Sequence, residues 1–266
     1  MEASDGARPL PVSLYYIRLA SRIINAVTAA TGEGKLYELD TRLRPSGSKG
    51  PIAVSVDGFI AYHRSDSWTW EHMALTRARA VTGQAGLRAR IAAEIRAVLV
   101  RRRDPATLAA EVAGMRALIE REHRTAGNWN AKHRRGGMVD VEFIAQYLQL
   151  RDAADRPEIL AANTQAALRA AVAGGSLAAA DGATLTAALT LWHSLQAALR
   201  LFANPAYDMK VAPATIGPPL ARATGVADFA DLAALVQETG ERVRALFERL
   251  LPPERARLPD MSARST

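Results

Sequence analysis

The stretch YELDTRLRPSGSKGP, Tyr37 to Pro51, decides how the first part of the chain is read. From Tyr37 to Arg44 the residues alternate in character, which is the period of a β-strand. The pattern predicts a strand over 35–44. Tyr37, Leu39, Thr41 and Leu43 then face a core, while Glu38, Asp40, Arg42 and Arg44 share the opposite face. That face sets a carboxylate beside two guanidinium groups. Such a row can hold a metal ion and a polyphosphate, or it can be a solvated, salt-bridged surface. At Pro45 the chain turns into a loop rich in Gly and Ser.

Working outward, residues 12–30 read as an amphipathic helix, with Leu14, Ile17, Ile24 and Val27 at helical spacing, ended by TGEG at 31–34. Ile52 to Val56 reads as a second short strand or an extended connection. A short helix follows, with Asp57 as its candidate cap. The stretches 67–81 and 86–103 read as helices, the second carrying Ile91, Ile95, Val98 and Leu99 inward. Asp104 and Pro105 then have the chemistry of a new helix start. A domain boundary is placed there, between 1–103 and 104–266. Beyond it the pattern is helical at 105–124, 138–153, 158–173, 176–203 and 227–251, which implies a bundle of about five helices. The fold class is therefore α+β and mostly α.

Composition narrows the function classes. The chain has 266 residues, enough for one large or two ordinary domains, and no cysteine, which excludes disulfides and Cys-ligated zinc. No apolar run approaches a membrane span, and MEASDGARPLP lacks the charge and apolar pattern of a signal peptide. A cytoplasmic protein is the expectation. The net charge is +7, yet the basic residues are spread along the chain. Their densest run, RRRD at 101–104, falls at a helix end, where cations complement the dipole. Nucleic acid is not the expected partner, because no basic stripe with interleaved aromatics is present.

The usual phosphate-binding glycine motifs, His-based metal motifs and nucleophile elbows are absent. Two stretches accompany the opening one. In WTWEHMALTRAR, 68–79, Arg77 and Arg79 can meet phosphate, or they can be solvated arginines beside an aromatic anchor. In KHRRGGMVDVEF, 132–143, paired glycines permit a tight entry to a helix. Asp140 sits in its first turn, where a carboxylate suits the dipole. Asp140 and Glu142, two apart, do not share a helical face.

Taken together, LYELDTRLRPSGSKGP, SWTWEHMALTRARAVTG and KHRRGGMVDVEFIAQYLQL resemble the bacterial glutamine-synthetase adenylyltransferases, and in particular their C-terminal, adenylylating half. The resemblance covers about 6–250. It implies a polymerase-β-like nucleotidyltransferase domain followed by a helical domain. It also implies a reaction that moves AMP from ATP to a tyrosine of glutamine synthetase, with Mg²⁺ as cofactor. Partners would be glutamine synthetase and a nitrogen-signal regulatory protein. In that fold two carboxylates come from a DxD strand after a Gly-Ser turn and a third from a neighbouring strand. Asp40 falls at the third position, as metal ligand and catalytic group. Arg42, Arg44, Ser46 and Gly47 would meet the nucleotide. Glu71, Arg77, Lys132, Asp140 and Glu142 would support the site.

No Gly-Ser turn followed by DxD occurs in the chain. The resemblance therefore implies a sequence beginning just after the two main metal ligands, and so an N-terminally truncated enzyme, inactive alone. The alternative is a non-catalytic helical module that binds glutamine synthetase or the regulator. The related uridylyltransferases resemble the chain less, because the RLRPSG and WTWEH spellings point elsewhere.

Overall fold

A computed structural model describes residues 10–123, 129–202 and 216–252. Among them the chain is mostly helical, with one two-stranded antiparallel sheet. No described helix is long and apolar enough to cross a membrane. The chain divides into two compact units, Met1–Ala74 with Ala80–Val98, and Leu75–Arg79 with Leu99–Thr266.

The first unit opens with α1 (Val12–Thr28), the helix its apolar spacing predicts. Leu14, Ile17, Ile24 and Val27 are half-buried, whereas Tyr15, Tyr16, Leu19 and Ile23 are exposed. A minimal hairpin follows, β1 (Ala30–Thr31) against β2 (Gly34–Lys35). Thr31 Oγ1 closes its turn, accepting from Glu33 N–H at 3.2 Å and donating to Gly34 O at 2.7 Å.

The strand predicted over 35–44 is not formed beyond Lys35. From Leu36 to Arg42 the backbone is irregular and pairs with no strand among the described residues. The residues expected to face a core do not do so: Tyr37 and Leu43 are 67% and 69% exposed, Leu39 is 44% exposed, and Thr41 is half-buried. Alternation fixes only which side chains would share a face. A strand also needs a neighbouring backbone to take its N–H and C=O groups. Here the Tyr37 N–H returns to Val27 O at 3.3 Å and the Arg42 N–H turns onto Asp40 Oδ1 at 3.0 Å. Ile52 to Ser55 is a connection rather than a second strand.

Helix α2 (Val56–Ser65) is capped by Ser55, whose Oγ accepts the Gly58 N–H at 3.1 Å. Asp57, expected as the cap, lies inside the first turn and pairs with Arg90 of α4 (Ala85–Leu99) at 2.5 Å. Arg64 reaches Glu94 at 3.6 Å, a second tie between the two helices. Between them runs α3 (Thr69–Leu75). Beyond the C-terminus of α4, Arg103 donates to Leu99 O and Arg101 O, as basic residues at a helix end should. Burial and the neighbouring Arg101 lower its pKa to about 10.

The second unit is built around α6 (Met138–Asp152), which packs against α5 (Pro105–Glu122), α7 (Thr164–Ala173), α8 (Ala179–Phe202) and α10 (Phe229–Leu250). Because partners surround it, α6 is buried around most of its circumference, with Val141, Ile144, Leu148 and Leu150 fully buried. Asp104 caps α5 as the sequence predicts, its carboxylate accepting from Thr107 N–H at 2.7 Å. Helix α7 starts at Thr164 rather than 158. Residues Pro157–Ile159 form a single 3₁₀ turn, and Asn163 caps the helix by accepting from Ala166 N–H at 3.0 Å.

The sequence reading takes the Pro-rich stretch before 220 as a connector. Its part over 203–215 lies outside the described residues. Its end is a helix, α9 (Gly217–Thr224), with Pro218 and Pro219 in the first turn. There a missing N–H costs nothing, since those donors have no intrahelical acceptor. Gly225, in the left-handed region at φ 78°, closes the helix.

Candidate functional site

The opening stretch folds as a compact loop whose organising group is Arg44. Its guanidinium donates to Thr41 O at 2.6 Å, Thr41 Oγ1 at 3.2 Å, Ser48 O at 3.2 Å and Gly50 O at 3.2 Å. Backbone bonds from Gly47 N–H to Arg44 O at 2.8 Å and from Gly50 N–H to Gly47 O at 3.2 Å complete it. A side chain at Gly50 would place its Cβ 2.1 Å from Pro45 O, so only glycine fits there. Ser46 (φ 62°) and Gly47 (φ 56°) are both left-handed; for Ser46 that conformation costs about 1–2 kcal/mol.

Asp40 and Arg42 sit beside this loop as an exposed pair. Arg42 Nε and a terminal nitrogen straddle the carboxylate at 2.7–3.1 Å. The guanidinium hydrogen bonds, with the Arg42 N–H, lower the Asp40 pKa from 3.8 to about 2. The pair thus presents a carboxylate already charged and already compensated.

Glu71 belongs to a different cluster. It is buried and accepts from Tyr62 Oη at 2.8 Å and from Trp68 N–H at 2.8 Å, so it caps the start of α3 with its own carboxylate. The Ser46 backbone also bonds the Tyr62 oxygen, which ties the left-handed turn to Tyr62 and Glu71. Burial and then the Glu71 contact push the Tyr62 pKa up. Among the loop residues singled out in the sequence, the structure therefore groups Asp40 with Arg42, and Ser46 with Glu71 through Tyr62. Arg44 is turned inward on its own loop.

In the second unit, Arg77 pairs with Glu142 at 2.7 Å, and Lys132 is exposed. Asp140 is completely buried. It accepts from the Gly136 N–H, from Arg116 Nε and, at 3.4 Å, from Arg135. Arg116, on α5 and also fully buried, spends another nitrogen on His133 O and Arg134 O, both at 3.0 Å. One guanidinium and one carboxylate thus fasten the 133–136 turn to α5 and α6. Arg135 lies over the Phe247 ring at 5.0 Å and reaches Glu120 and Glu248 at 3.8 Å. Gly136 admits α10 against this turn, while Gly137 lets the turn fold onto Ala131 O and Arg134 O. At Gly136 (φ 74°) an added Cβ would fall 1.8 Å from Gly240 O. Asp140 and Glu142, on different faces as their spacing requires, have separate partners.

Sequence reasoning missed Arg116, which lies in the helix expected over 105–124. The available signal was its position: α5 buries Leu108, Ala109, Val112 and Arg116, so the arginine falls on the apolar face. It also missed His193 and the start of α7. With Arg77, Arg79 and Glu142 they line a cavity of about 410 Å³ within the second unit. Among the described residues, no three His, Asp or Glu side chains come together as a metal-holding group.

Comparison with known proteins divides along the same line as the fold. Residues 1–94 match the model of the Glutamate-ammonia ligase adenylyltransferase family, and residues 109–251 match the GlnD PII-uridylyltransferase model. Three relatives that match nearly the whole chain carry one name, Bifunctional glutamine synthetase adenylyltransferase/adenylyl-removing enzyme. The protein of Rhodopseudomonas palustris (strain ATCC BAA-98 / CGA009) is 45% identical over 253 residues, 95% of this chain and 26% of the relative. That of Bradyrhizobium diazoefficiens is 45% identical over 248 residues, 93% and 25%. That of Xanthobacter autotrophicus is 43% identical over 252 residues, 93% and 25%. The chain spans about a quarter of the length of these relatives. This identity over nearly the whole chain, with the family-model match over 1–94, places the chain in the glutamine-synthetase adenylyltransferase family of nucleotidyltransferases.

Proposed function

We propose that the chain contributes to adenylyl transfer from ATP to a tyrosine of glutamine synthetase, in the cytoplasm, as one part of a larger catalytic assembly. The observation that supports this is 45% identity, across 95% of the chain, to an enzyme named for that reaction. On this reading 1–103 is the nucleotidyltransferase portion and 104–266 the helical portion. Asp40 supplies one carboxylate, kept ionised by Arg42. Arg42, the more exposed of the loop arginines and paired with Asp40, would meet a triphosphate from that pair. Arg44 acts on the nucleotide only through the shape of its loop, because its nitrogens are occupied by loop carbonyls.

Mg²⁺ would lower the charge barrier at the α-phosphate when bound. The three-carboxylate arrangement that two ions require is not made by the described residues, so this chain's own donors do not fit that group alone. The expectation is no adenylylation when purified chain is mixed with glutamine synthetase, ATP and Mg²⁺. Transfer should appear when a polypeptide carrying the Gly-Ser and DxD strand is supplied, and Asp40→Asn should abolish it. Transfer by the chain alone, or transfer indifferent to Asp40→Asn, would overturn the assignment.

A second reading is a helical binding module for glutamine synthetase or a nitrogen-signal protein. It is favoured by the separate match of 109–251 to the uridylyltransferase model and by that unit's own closed core. Saturable binding of the chain to glutamine synthetase without ATP, unaffected by Asp40→Asn, would support it.

A further inference from the structure

The cavity of about 410 Å³ in the second unit has an uncompensated positive charge. Two arginines, Arg77 and Arg79, line it. Arg77 is neutralised by Glu142 at 2.7 Å, whereas Arg79 is exposed and meets no acidic group among the described residues. His193, on the neighbouring helix, adds a ring nitrogen. Thr164 and Gln165 bring the first turn of α7, whose cap residue Asn163 takes the Ala166 N–H. The earlier N–H groups of that turn have no intrahelical acceptor.

The companion cavity, of about 430 Å³, makes the contrast. It is lined by small, hydroxyl and apolar side chains, and its one arginine, Arg242, is paired with Glu238 at 3.5 Å. A neutral lining asks for nothing in particular. The cavity at Arg79 lacks an anion, and its donors converge from three separate segments: residues 77–79, the start of α7 and α8.

We propose that the Arg79 cavity binds the phosphate group of a small phosphorylated ligand. A phosphate accepts from a guanidinium fork, from an imidazole N–H and from backbone N–H groups at once. The volume leaves room for a small organic group beyond the phosphate itself. Its lining includes no residue of the loop at Asp40.

The test is calorimetric titration of the full chain with inorganic phosphate, and in parallel with AMP, at constant ionic strength. Saturable phosphate binding is expected. Arg79→Gln should weaken it about tenfold or more, the loss of one charge-assisted contact. Arg79→Lys should recover part of the affinity. Arg121→Gln, an exposed arginine of α5, should leave it unchanged. AMP binding more tightly than phosphate, with the same Arg79 dependence, assigns the site to a nucleotide or other monoester; phosphate binding better assigns it to the free ion. No saturable binding of either probe, or equal affinity in the wild type and Arg79→Gln, overturns the proposal. Because Arg79 is exposed and makes no ion pair among the described residues, Arg79→Gln should keep the wild-type melting temperature, so affinity lost with the fold intact is the supporting result.

Discussion

Replacing Asp140 with asparagine tests the fastening of the helical unit directly. The amide has the shape of the carboxylate but no charge, and its nitrogen donates where the site offers only donors. Asp140 receives the Gly136 N–H and two guanidinium groups, and neither it nor Arg116 has any solvent exposure. After substitution Arg116 keeps His133 O and Arg134 O but has no anion within the fold. Breaking a buried pair by removing one member costs about 3–5 kcal/mol, because a desolvated charge is left behind. Against a typical stability of about 5–15 kcal/mol this is a large share. It equals a loss of about three powers of ten in the folding constant. Urea unfolding followed by helical circular dichroism measures it, with a constant slope showing that the same surface is exposed. Asp155→Asn is the control. Its partner Arg102 is solvent-exposed, and the loss there should stay below about 1 kcal/mol. Pairing Asp140→Asn with Arg116→Met should recover part of the cost, since the stranded charge is gone. A loss for Asp140→Asn as small as that of the control would refute the assignment of this pair as the fastening of α5, α6 and the 133–136 turn.

Gly136→Ala should also be damaging, by more than about 2 kcal/mol, because it combines a left-handed backbone with overlap on Gly240 O; thermal melting reads it, and a shift within error would contradict the close approach. Asp104→Ala removes a helix cap and should cost about 1 kcal/mol in the same melting experiment. The carboxyl carbon of Asp40 should titrate in NMR near 2, and near 3.8 in Arg42→Ala. Since the folded pKa is the lower one, the stabilising contribution is present above about 3.8 and is lost as the pH falls through 2. His133 is opposite in charge but also depressed, first by burial, then by the stacked His123 and the cations Lys132 and Arg116. Its neutral form is favoured in the fold, so stability should fall as the pH drops below the ordinary histidine value of 6.5. His133→Gln should flatten that dependence in urea midpoints measured across this range. In hydrogen exchange, α1 and residues 36–43 should be less protected than α6, and uniform slow exchange would contradict the exposure of Tyr37 and Leu43.

The helical half was legible because its signals are local. Periodicity and the Asp104 cap each act within a few residues, and the structure keeps both. The strand at 35–44 was not, because pairing depends on a partner backbone that alternation cannot supply. The start of α7 failed for a similar reason: Pro157 is compatible with a helix start, but Asn163 has the side chain that holds the Ala166 N–H. At the candidate site the residue types were readable while their partners were not. Nothing in RLRPSG says that Arg44 would serve its own loop while Arg42 faces solvent. Likewise KHRRGG does not reveal that Asp140 answers an arginine 24 positions upstream.

The Arg44 loop has one further consequence, for the order of folding. All four acceptors of its guanidinium lie within six residues of Arg44 along the chain. Closing a loop of that size takes about 10–100 ns. The turn can therefore assemble before any long-range pairing, and it does not depend on a completed sheet for its shape. Whatever backbone comes to lie beside Tyr37, Leu39 and Leu43 meets a rim that is already moulded.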